Sequence, residues 1–319
     1  MTARALIVGA GLMGRWHAHA LGRIDARIVG VVDPDLAAAR GIAEGAPVWR
    51  DPSEALQTVQ PDVVHICTSA AHHVEQVAMA LRSGAHVLVE KPAAPSVAQT
   101  EELLRLAQQS SLTLTPVHQM SFQPWMQDVP QAGRLLAIEH VLHSAGAGPD
   151  DDADAIAASI LVHPLSVFER LLPRGALDGV TWSVARTGPG ELRGLGSAGD
   201  CALQFTVSMS GRPPRNDLVV SGAEATLHAD LFHGFGAVDS TGAGRVGKAA
   251  RPFSRAVATL GRAGVNLSRR ALQREPAFPG LAALFAATYD AVAQGRPSPL
   301  PPHHVLSVAR ARAAILAAP

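Results

Sequence analysis

An apolar run, Ala5–Val8, leads into Gly9-Ala10-Gly11-Leu12-Met13-Gly14, and a stretch of helical length, Leu12–Leu21, begins inside that hexad. Three glycines in six residues between a strand and a helix permit a tight turn and let another group approach the backbone closely. The helix N-terminus adds unpaired N–H donors and the positive end of a dipole, so such a turn suits a pyrophosphate. The glycines alone are a weak signal, because a tight turn can be purely structural. Their setting makes it stronger: a second apolar run, Ile28–Val32, ends at Asp33, 19 positions beyond Gly14. A carboxylate there accepts hydrogen bonds from the adenosine ribose hydroxyls and repels a 2′-phosphate. Pro34 and Asp35 follow, with no arginine to hold such a phosphate. NAD is the expected cofactor, with NADP disfavoured, and Gly9, Gly11, Leu12, Met13, Gly14 and Asp33 are expected to bind it.

The first 117 residues keep this rhythm. Short runs rich in Val, Ile and Leu recur at Val63–Cys67, Val87–Val89 and Leu112–Pro116, as expected of parallel strands buried on both faces. Helix-length stretches lie between them, at Leu36–Glu44, Ser53–Val59, His72–Arg82 and Ser96–Gln109. The pattern predicts an α/β fold whose N-terminal part, residues 1–118, is a Rossmann doubly wound parallel sheet. Thr68 and Ser69 follow the run Val63–Cys67, at the carboxyl edge where a cofactor passes. The pattern changes after Val117. Leu135–Leu142 reads as a strand, 145–155 as an exposed acidic loop, and Pro164–Leu172 as a helix. Cys201–Ser210 alternates strictly, which predicts a half-buried antiparallel strand. Leu218–Ser221 and Ala225–Ala229 flank Gly222 as a hairpin, and 253–273, 280–294 and 303–317 read as helices. Residues 119–319 are therefore expected to form an α+β domain with a mostly antiparallel, open-faced sheet.

Composition narrows the partners. With 27 basic and 27 acidic residues the chain has no overall positive field, so nucleic acid is not an expected partner. No apolar run approaches the roughly 20 residues that span a bilayer, and a strand starting almost at residue 1 leaves no room for a signal peptide. Cys67 and Cys201, both in apolar stretches, read as free thiols in a reducing cytoplasm, and two distant cysteines suggest no metal site. Only Lys91 and Lys248 among the basic residues are lysine, which singles out Lys91 at the end of a parallel strand.

That strand reads Gly84-Ala85-His86-Val87-Leu88-Val89-Glu90-Lys91-Pro92, and upstream of it stand Cys67-Thr68-Ser69 and His73-x-Glu75. Together with the glycine hexad, these residues resemble the Gfo/Idh/MocA family of oxidoreductases, named for glucose–fructose oxidoreductase and inositol dehydrogenase. Looser matches continue through Gly133-Arg134-Leu135 and Val220-Ser221-Gly222-Ala223-Glu224, so the resemblance covers essentially the whole chain. It implies NAD(P)-dependent hydride transfer between nicotinamide and a carbinol or carbonyl carbon of a sugar, cyclitol or related small molecule. It implies a catalytic Lys91 that also touches substrate and cofactor, often joined to Pro92 by a cis bond, and it adds His73 and Glu90 to the cofactor site. A lysine partly desolvated at the sheet edge has a lowered pKa and can shuttle a proton, which agrees with that role. The family's second catalytic element, Asp-x-x-x-His, maps onto Ser159–His163; the histidine is present and the aspartate is not. With Pro164 as the first helical residue, the dipole would keep His163 neutral and competent as a second acid/base. His118, Gln119 and Gln123 fall in the segment that enters the substrate cleft in the family, and Ser159 and His163 complete the expected substrate contacts. The resemblance also implies a homodimer or homotetramer.

Two readings stay open. Ser159 in place of aspartate allows a catalytically reduced nucleotide-binding or regulatory protein of the same fold. Residues 239–275 carry eight basic side chains (Arg245, Lys248, Arg251, Arg255, Arg262, Arg269, Arg270 and Arg274), interleaved with Phe253, Val257, Leu260, Val265 and Leu267. Such a helix has a solvated basic face, or one that meets an anionic substrate tail or a partner; membrane contact is not expected. Tyr289, the only tyrosine, lies far along the chain on a predicted helix and is not expected to act as an acid/base.

Overall fold

The structure is a computed structural model that describes residues 2–144, 151–240 and 245–318. The chain divides into two compact units, and neither is one continuous segment. The first comprises Met1–His118 and Leu281–Ala309, the second Gln119–Gly280 and Arg310–Pro319. The division drawn from the sequence at residue 118 thus meets a chain that returns: one late segment, Leu281–Ala309, leaves 119–319 and packs into the first unit.

In the first unit, β1 (Ala3–Val8), α1 (Leu12–Leu21), β2 (Ala26–Val32), α2 (Leu36–Arg40), β3 (Val48–Trp49), α3 (Pro52–Val59), β4 (Val63–Ile66), α4 (Ala70–Arg82), β5 (His86–Val89), α5 (Val97–Gln109) and β6 (Leu114–Pro116) alternate along the chain. All six strands are parallel, in the order β3-β2-β1-β4-β5-β6. The order reverses between β1 and β4, and ligands of such sheets bind outside the carboxyl ends of the strands at that switch point. Leu6, Val8, Val64, Ile66, Val87 and Val89 are buried in one core with Val77, Leu81, Leu103 and Leu104 of the helices. Helix starts follow their caps: Asp35 accepts from the Ala37 and Ala38 N–H groups, and Asp51 from Ser53 and Glu54 with Pro52 behind it. The two-residue β3 carries too little pattern to be read from sequence.

The second unit contains β7 (Leu135–His143), α6 (Ala153–Ile160), α7 (Val162–Leu171), β8 (Ser183–Gly188), β9 (Glu191–Ala198), β10 (Cys201–Ser208), β11 (Arg215–Gly222), β12 (Ala225–Asp230), β13 (Phe235–Ser240) and α8 (Arg245–Leu272). Then α9 (Leu281–Ala293) belongs to the first unit, and α10 (Pro302–Ala317) ends the chain. The sheet runs β13-β12-β11-β7-β10-β9-β8. Strand β10 has the expected alternation, with Cys201, Leu203, Phe205 and Val207 buried and Ala202 and Gln204 exposed. Its pairing corrects one expectation: β10 is antiparallel to β9 but parallel to β7. Strand β9 escapes a sequence reading because Gly194 and Gly196 interrupt its pattern. A Cβ at Gly194 would lie 2.2 Å from the Phe205 ring, and one at Gly196 2.5 Å from Val180, so these glycines make room for core side chains.

Two other expectations change. The predicted loop 145–155 falls partly outside the described residues, and from Ala153 onward it is helix α6, capped by Asp152 on the Ala155 N–H. Helix α7 begins at Val162, two residues before Pro164, and only Leu161 separates it from α6. The basic segment folds as α8 with its polarity reversed. Arg251 pairs with Asp239 at 2.9 Å, Arg262 with Asp128 at 3.1 Å, and Arg255 reaches the His228 ring at 3.3 Å. Phe253, Val257, Leu260 and Leu267 instead face solvent. These arginines therefore spend their charge on their own unit; the side chains of Arg245 and Lys248 lie outside the description. Among the described residues no helix is long and apolar enough to cross a membrane.

Candidate active site

The carboxyl ends of the first sheet gather most of the residues singled out in the sequence. Gly9 leaves β1 with φ +98°, where a side chain would be strained, and a Cβ there would sit 2.8 Å from the Cys67 backbone. A Cβ at Gly14 would lie 2.0 Å from the Gly9 carbonyl oxygen. The fold itself requires these two glycines. Gly11 differs: a Cβ on it meets nothing within 4 Å, so the fold does not require its bareness and space remains there for a group from outside. Asp33, leaving β2, accepts from Ala10 N–H at 2.7 Å and from Asp35 N–H at 2.8 Å. Those bonds anchor its carboxylate beside the glycine turn, as a ribose ligand requires. An open approach at Gly11, a helix N-terminus behind it and an anchored carboxylate fit a dinucleotide. Leu12 is exposed and Met13 half-buried at the head of α1.

Beyond β4, Thr68 bonds Gln76 at 2.6 Å and Ser69 meets His72 at 3.0 Å. His73 is buried, with Nδ1 2.8 Å from the Pro92 carbonyl and Nε2 3.0 Å from the Thr68 carbonyl. Both ring nitrogens are thus taken up by backbone. His73 thus clasps the β4 exit to the turn that follows β5, among the expected cofactor residues. In that turn the Lys91–Pro92 bond is cis. Lys91 is half-buried, and burial pushes its ammonium pKa down while the Glu90 carboxylate pushes it up. Glu90 is buried; its Oε1 lies 3.1 Å from His17 Nε2, and its Oε2 accepts the Lys91 backbone N–H at 3.3 Å. His118, expected as a substrate contact, is buried with its Nδ1 3.2 Å from His304 Nε2. Burial, His304 and Lys91 push its pKa well down, so its ring is neutral.

The remaining predicted residues belong to the second unit. There a cavity of about 460 Å³ is lined by Gln119, Asn216, His163, Phe232, His233 and Arg270, among others. Gln119 Oε1 is buried and accepts no hydrogen bond from the protein. Arg270 is steadied by the carbonyls of His233, Glu275 and Pro276. His163 reaches the cavity from the second position of α7. The dipole argument for its neutrality weakens, because the carboxyl end of α6 abuts the start of α7 and no free helix terminus stands there. Ser159 is half-buried on α6, and its neighbour Ile160 takes the place in the cavity wall that Ser159 was expected to fill. Gln123 also lines this cavity, where its amide donates to the Leu231 and Pro279 carbonyls and its oxygen accepts from Trp125.

Residues 3–118 match the oxidoreductase family with an NAD-binding Rossmann fold, Gfo/Idh/MocA. These residues carry that family's Rossmann fold. Among its relatives, D-glucoside 3-dehydrogenase of Escherichia coli (strain K12) is 40% identical over 105 residues, 31% of this chain and 30% of that protein. UDP-N-acetylglucosamine 3-dehydrogenase of Acidithiobacillus ferrooxidans is 29% identical over 168 residues, 51% of this chain and 52% of that one. The chain thus spans between about a third and a half of the length of these curated relatives. The solved structure of the latter enzyme superposes with a TM-score of 0.75 at 19% identity, over 100% of this chain and 98% of that one, so the two share a fold. The matched family is NAD-binding, and the glycine turn and Asp33 lie within the matched residues.

Sequence reasoning missed His17, His65, Tyr289 and His304, all buried in the first unit. A histidine inside the apolar run Val63–Cys67 was a visible signal; the partners that justify it come from α1 and from a helix more than 200 residues away.

Proposed function

We propose that the chain is an NAD-dependent oxidoreductase acting on a carbinol or carbonyl carbon of a sugar, cyclitol or related small molecule. The observation that carries this reading is Lys91: half-buried at the carboxyl edge of the sheet, its proton loosened by burial and retained by Glu90, in the same unit as the Gly11 approach and the Asp33 anchor. Bound nicotinamide would supply the acceptor or donor of the hydride. Lys91 would move the proton at the reacting oxygen, a positioned acid/base worth typically about 10²–10⁴ in rate. Gly9, Gly11, Gly14 and Asp33 would hold the cofactor, with Thr68 and Ser69 at the margin. In the second unit His163 would serve as second acid/base, and Gln119 would accept a substrate hydroxyl with an oxygen that no protein group uses. Two relatives named as dehydrogenases of glucosides and of UDP-N-acetylglucosamine support an oxygen-rich substrate. Free Cys67 and Cys201 accord with a reducing cytoplasm. The open sheet face, with Gln204 and Leu195 exposed, suits a homodimer or homotetramer, which light scattering checks. The reading is tested by following NADH formation and consumption with a panel of sugars, cyclitols and keto compounds. A substrate that turns over with NAD(H) and is lost in Lys91→Ala is expected; NAD(H) binding without turnover across the panel would favour the binding-protein reading.

A further inference from the structure

A continuous line of buried polar groups crosses the first unit. Tyr289 on α9 places its hydroxyl 2.8 Å from His65 Nε2 on β4. His65 Nδ1 lies 3.0 Å from His17 Nδ1 on α1, and His17 Nε2 lies 3.1 Å from Glu90 Oε1. His17 and His65 are wholly buried, and Phe285 packs against both rings at 4.7 and 4.8 Å. Nothing in the proposed chemistry uses these three residues. Burying so many polar groups is costly unless each is satisfied, so the direction of every proton matters.

The contacts admit a single self-consistent direction. A buried hydroxyl keeps its own proton bonded, so Tyr289 donates to His65 Nε2; burial and the Asp62 charge raise its pKa and keep it a phenol. His65 is held neutral by burial, so with Nε2 accepting from Tyr289 its one proton sits on Nδ1 and is donated to His17 Nδ1. His17 then carries its proton on Nε2 and donates it to Glu90 Oε1; with Oε2 accepting the Lys91 backbone N–H, both Glu90 oxygens act as acceptors. Reversing the line would leave the Tyr289 proton without an acceptor. The charge on Glu90 is felt around it: with burial, it pushes the Cys67 thiol up, and it opposes the loss of the Lys91 proton. Beyond Lys91 stands neutral His118 with His304, which contributes no opposing negative charge.

We infer that Tyr289, His65 and His17 form a positioning array that fixes Glu90 as a hydrogen-bond acceptor beside Lys91 and so tunes how Lys91 holds its proton. The inference rests on the reading of Lys91 as the proton shuttle only for its consequence in turnover; the coupling itself is measurable without substrate. It gives the late return of α9 into the first unit a chemical task.

The chain's two lysines make the test direct. In protein labelled with 13C-lysine, the side-chain resonances of Lys91 and Lys248 are told apart with Lys248→Arg, and the Lys91 resonance is followed against pH. Tyr289→Phe removes one oxygen and keeps the ring. Without its donor the array can reverse and Glu90 can take a proton, so the Lys91 midpoint should fall by about one pH unit, the effect of losing an adjacent opposite charge. Glu90→Gln should lower it at least as far, and the basic limb of the pH profile of kcat/KM should move with it. If Tyr289→Phe lowers the thermal midpoint but leaves the Lys91 titration in place, the array is only structural and the inference is overturned. A Lys91 midpoint that ignores Glu90→Gln overturns it as well. Full turnover by Lys91→Ala would instead refute the catalytic reading of Lys91 and leave the titration result standing.

Discussion

The two units treat buried polar groups in opposite ways. Around Lys91 the first unit closes its hydrogen bonds internally: Tyr289, His65, His17 and Glu90 form one line, His73 clasps two carbonyls, and His118 meets His304. Among the described residues, Gln119 Oε1, Ser121 Oγ, His140 Nδ1, Glu169 Oε2 and Trp182 Nε1 are buried without a hydrogen-bond partner, and all belong to the second unit. On the proposed function, the difference separates a preorganised reaction centre from a recognition surface. Groups that must hold one protonation state are fixed by the protein, whereas an oxygen such as that of Gln119, in a cavity wall, is completed by what enters. The first arrangement gives a site its precision and the second gives it a means of discrimination, since an analogue lacking the matching hydroxyl leaves the buried oxygen unsatisfied.

The largest expected effect separates the roles within the first unit. Gly14→Val would drive a side chain into the Gly9 carbonyl, 2.0 Å from its Cβ, and should cost several kcal/mol and the fold of that unit. Gly11→Val places its side chain in open space and should leave the thermal midpoint within a few degrees of the parent. It should still weaken NAD by about 1–3 kcal/mol, the usual cost of overpacking. Thermal melts paired with calorimetric NAD titrations check both, and equal destabilisation by the two substitutions would erase the distinction.

A smaller effect tests the second unit. Glu169 is buried on α7, and burial together with Asp178 raises its pKa to about 7 from 4.5. Between these values the unfolded chain releases a proton that the folded one retains, so this carboxyl lowers stability as pH rises through that window and not beyond it. Glu169→Gln should therefore stabilise the protein more at pH 8 than at pH 4, by at most about 3 kcal/mol. Denaturant unfolding at both values checks this; an equal effect at the two would mean that Glu169 is satisfied after all.

The smallest effect concerns cofactor choice. Wild-type protein should bind NAD(H) more tightly than NADP(H), and Asp33→Ala should narrow the gap while weakening NAD(H) about tenfold, because Asp33 also anchors the Ala10 and Asp35 N–H groups. Parallel titrations decide it, and tighter NADP(H) binding by the wild type would contradict the assignment.

How much of this was legible in the sequence follows the same contrast. The first sheet could be read because each strand is a short run of Val, Ile and Leu followed by a helix, and because Gly9–Gly14, Asp33 and Glu90–Pro92 stand at strand ends. Legibility failed where a residue's partner is distant in the chain. His17, His65 and Tyr289 take their meaning from contacts across 48, 73 and 224 positions, and no local pattern encodes those. In the second unit, glycines under Phe205 and Val180 hid β9, and the start of α7 was misplaced because α6 runs almost directly into it. The arginines of α8 read as a solvated face or as a surface for something else, whereas Asp239, Asp128 and His228 of the same unit meet three of them.

The central claim, that Lys91 moves the proton while the glycine turn and Asp33 hold the cofactor, is tested most directly by single-turnover measurement of NADH formation or consumption. Lys91→Ala and wild type are compared at saturating NAD(H) with the substrate found in the panel, and NAD(H) affinity is measured alongside. The account predicts a fall of about 10²–10⁴ in the single-turnover rate with NAD(H) affinity nearly unchanged, and a milder fall for His163→Ala. A Lys91→Ala protein that keeps a near-normal single-turnover rate, or one that loses turnover only because it no longer binds NAD(H), would contradict it.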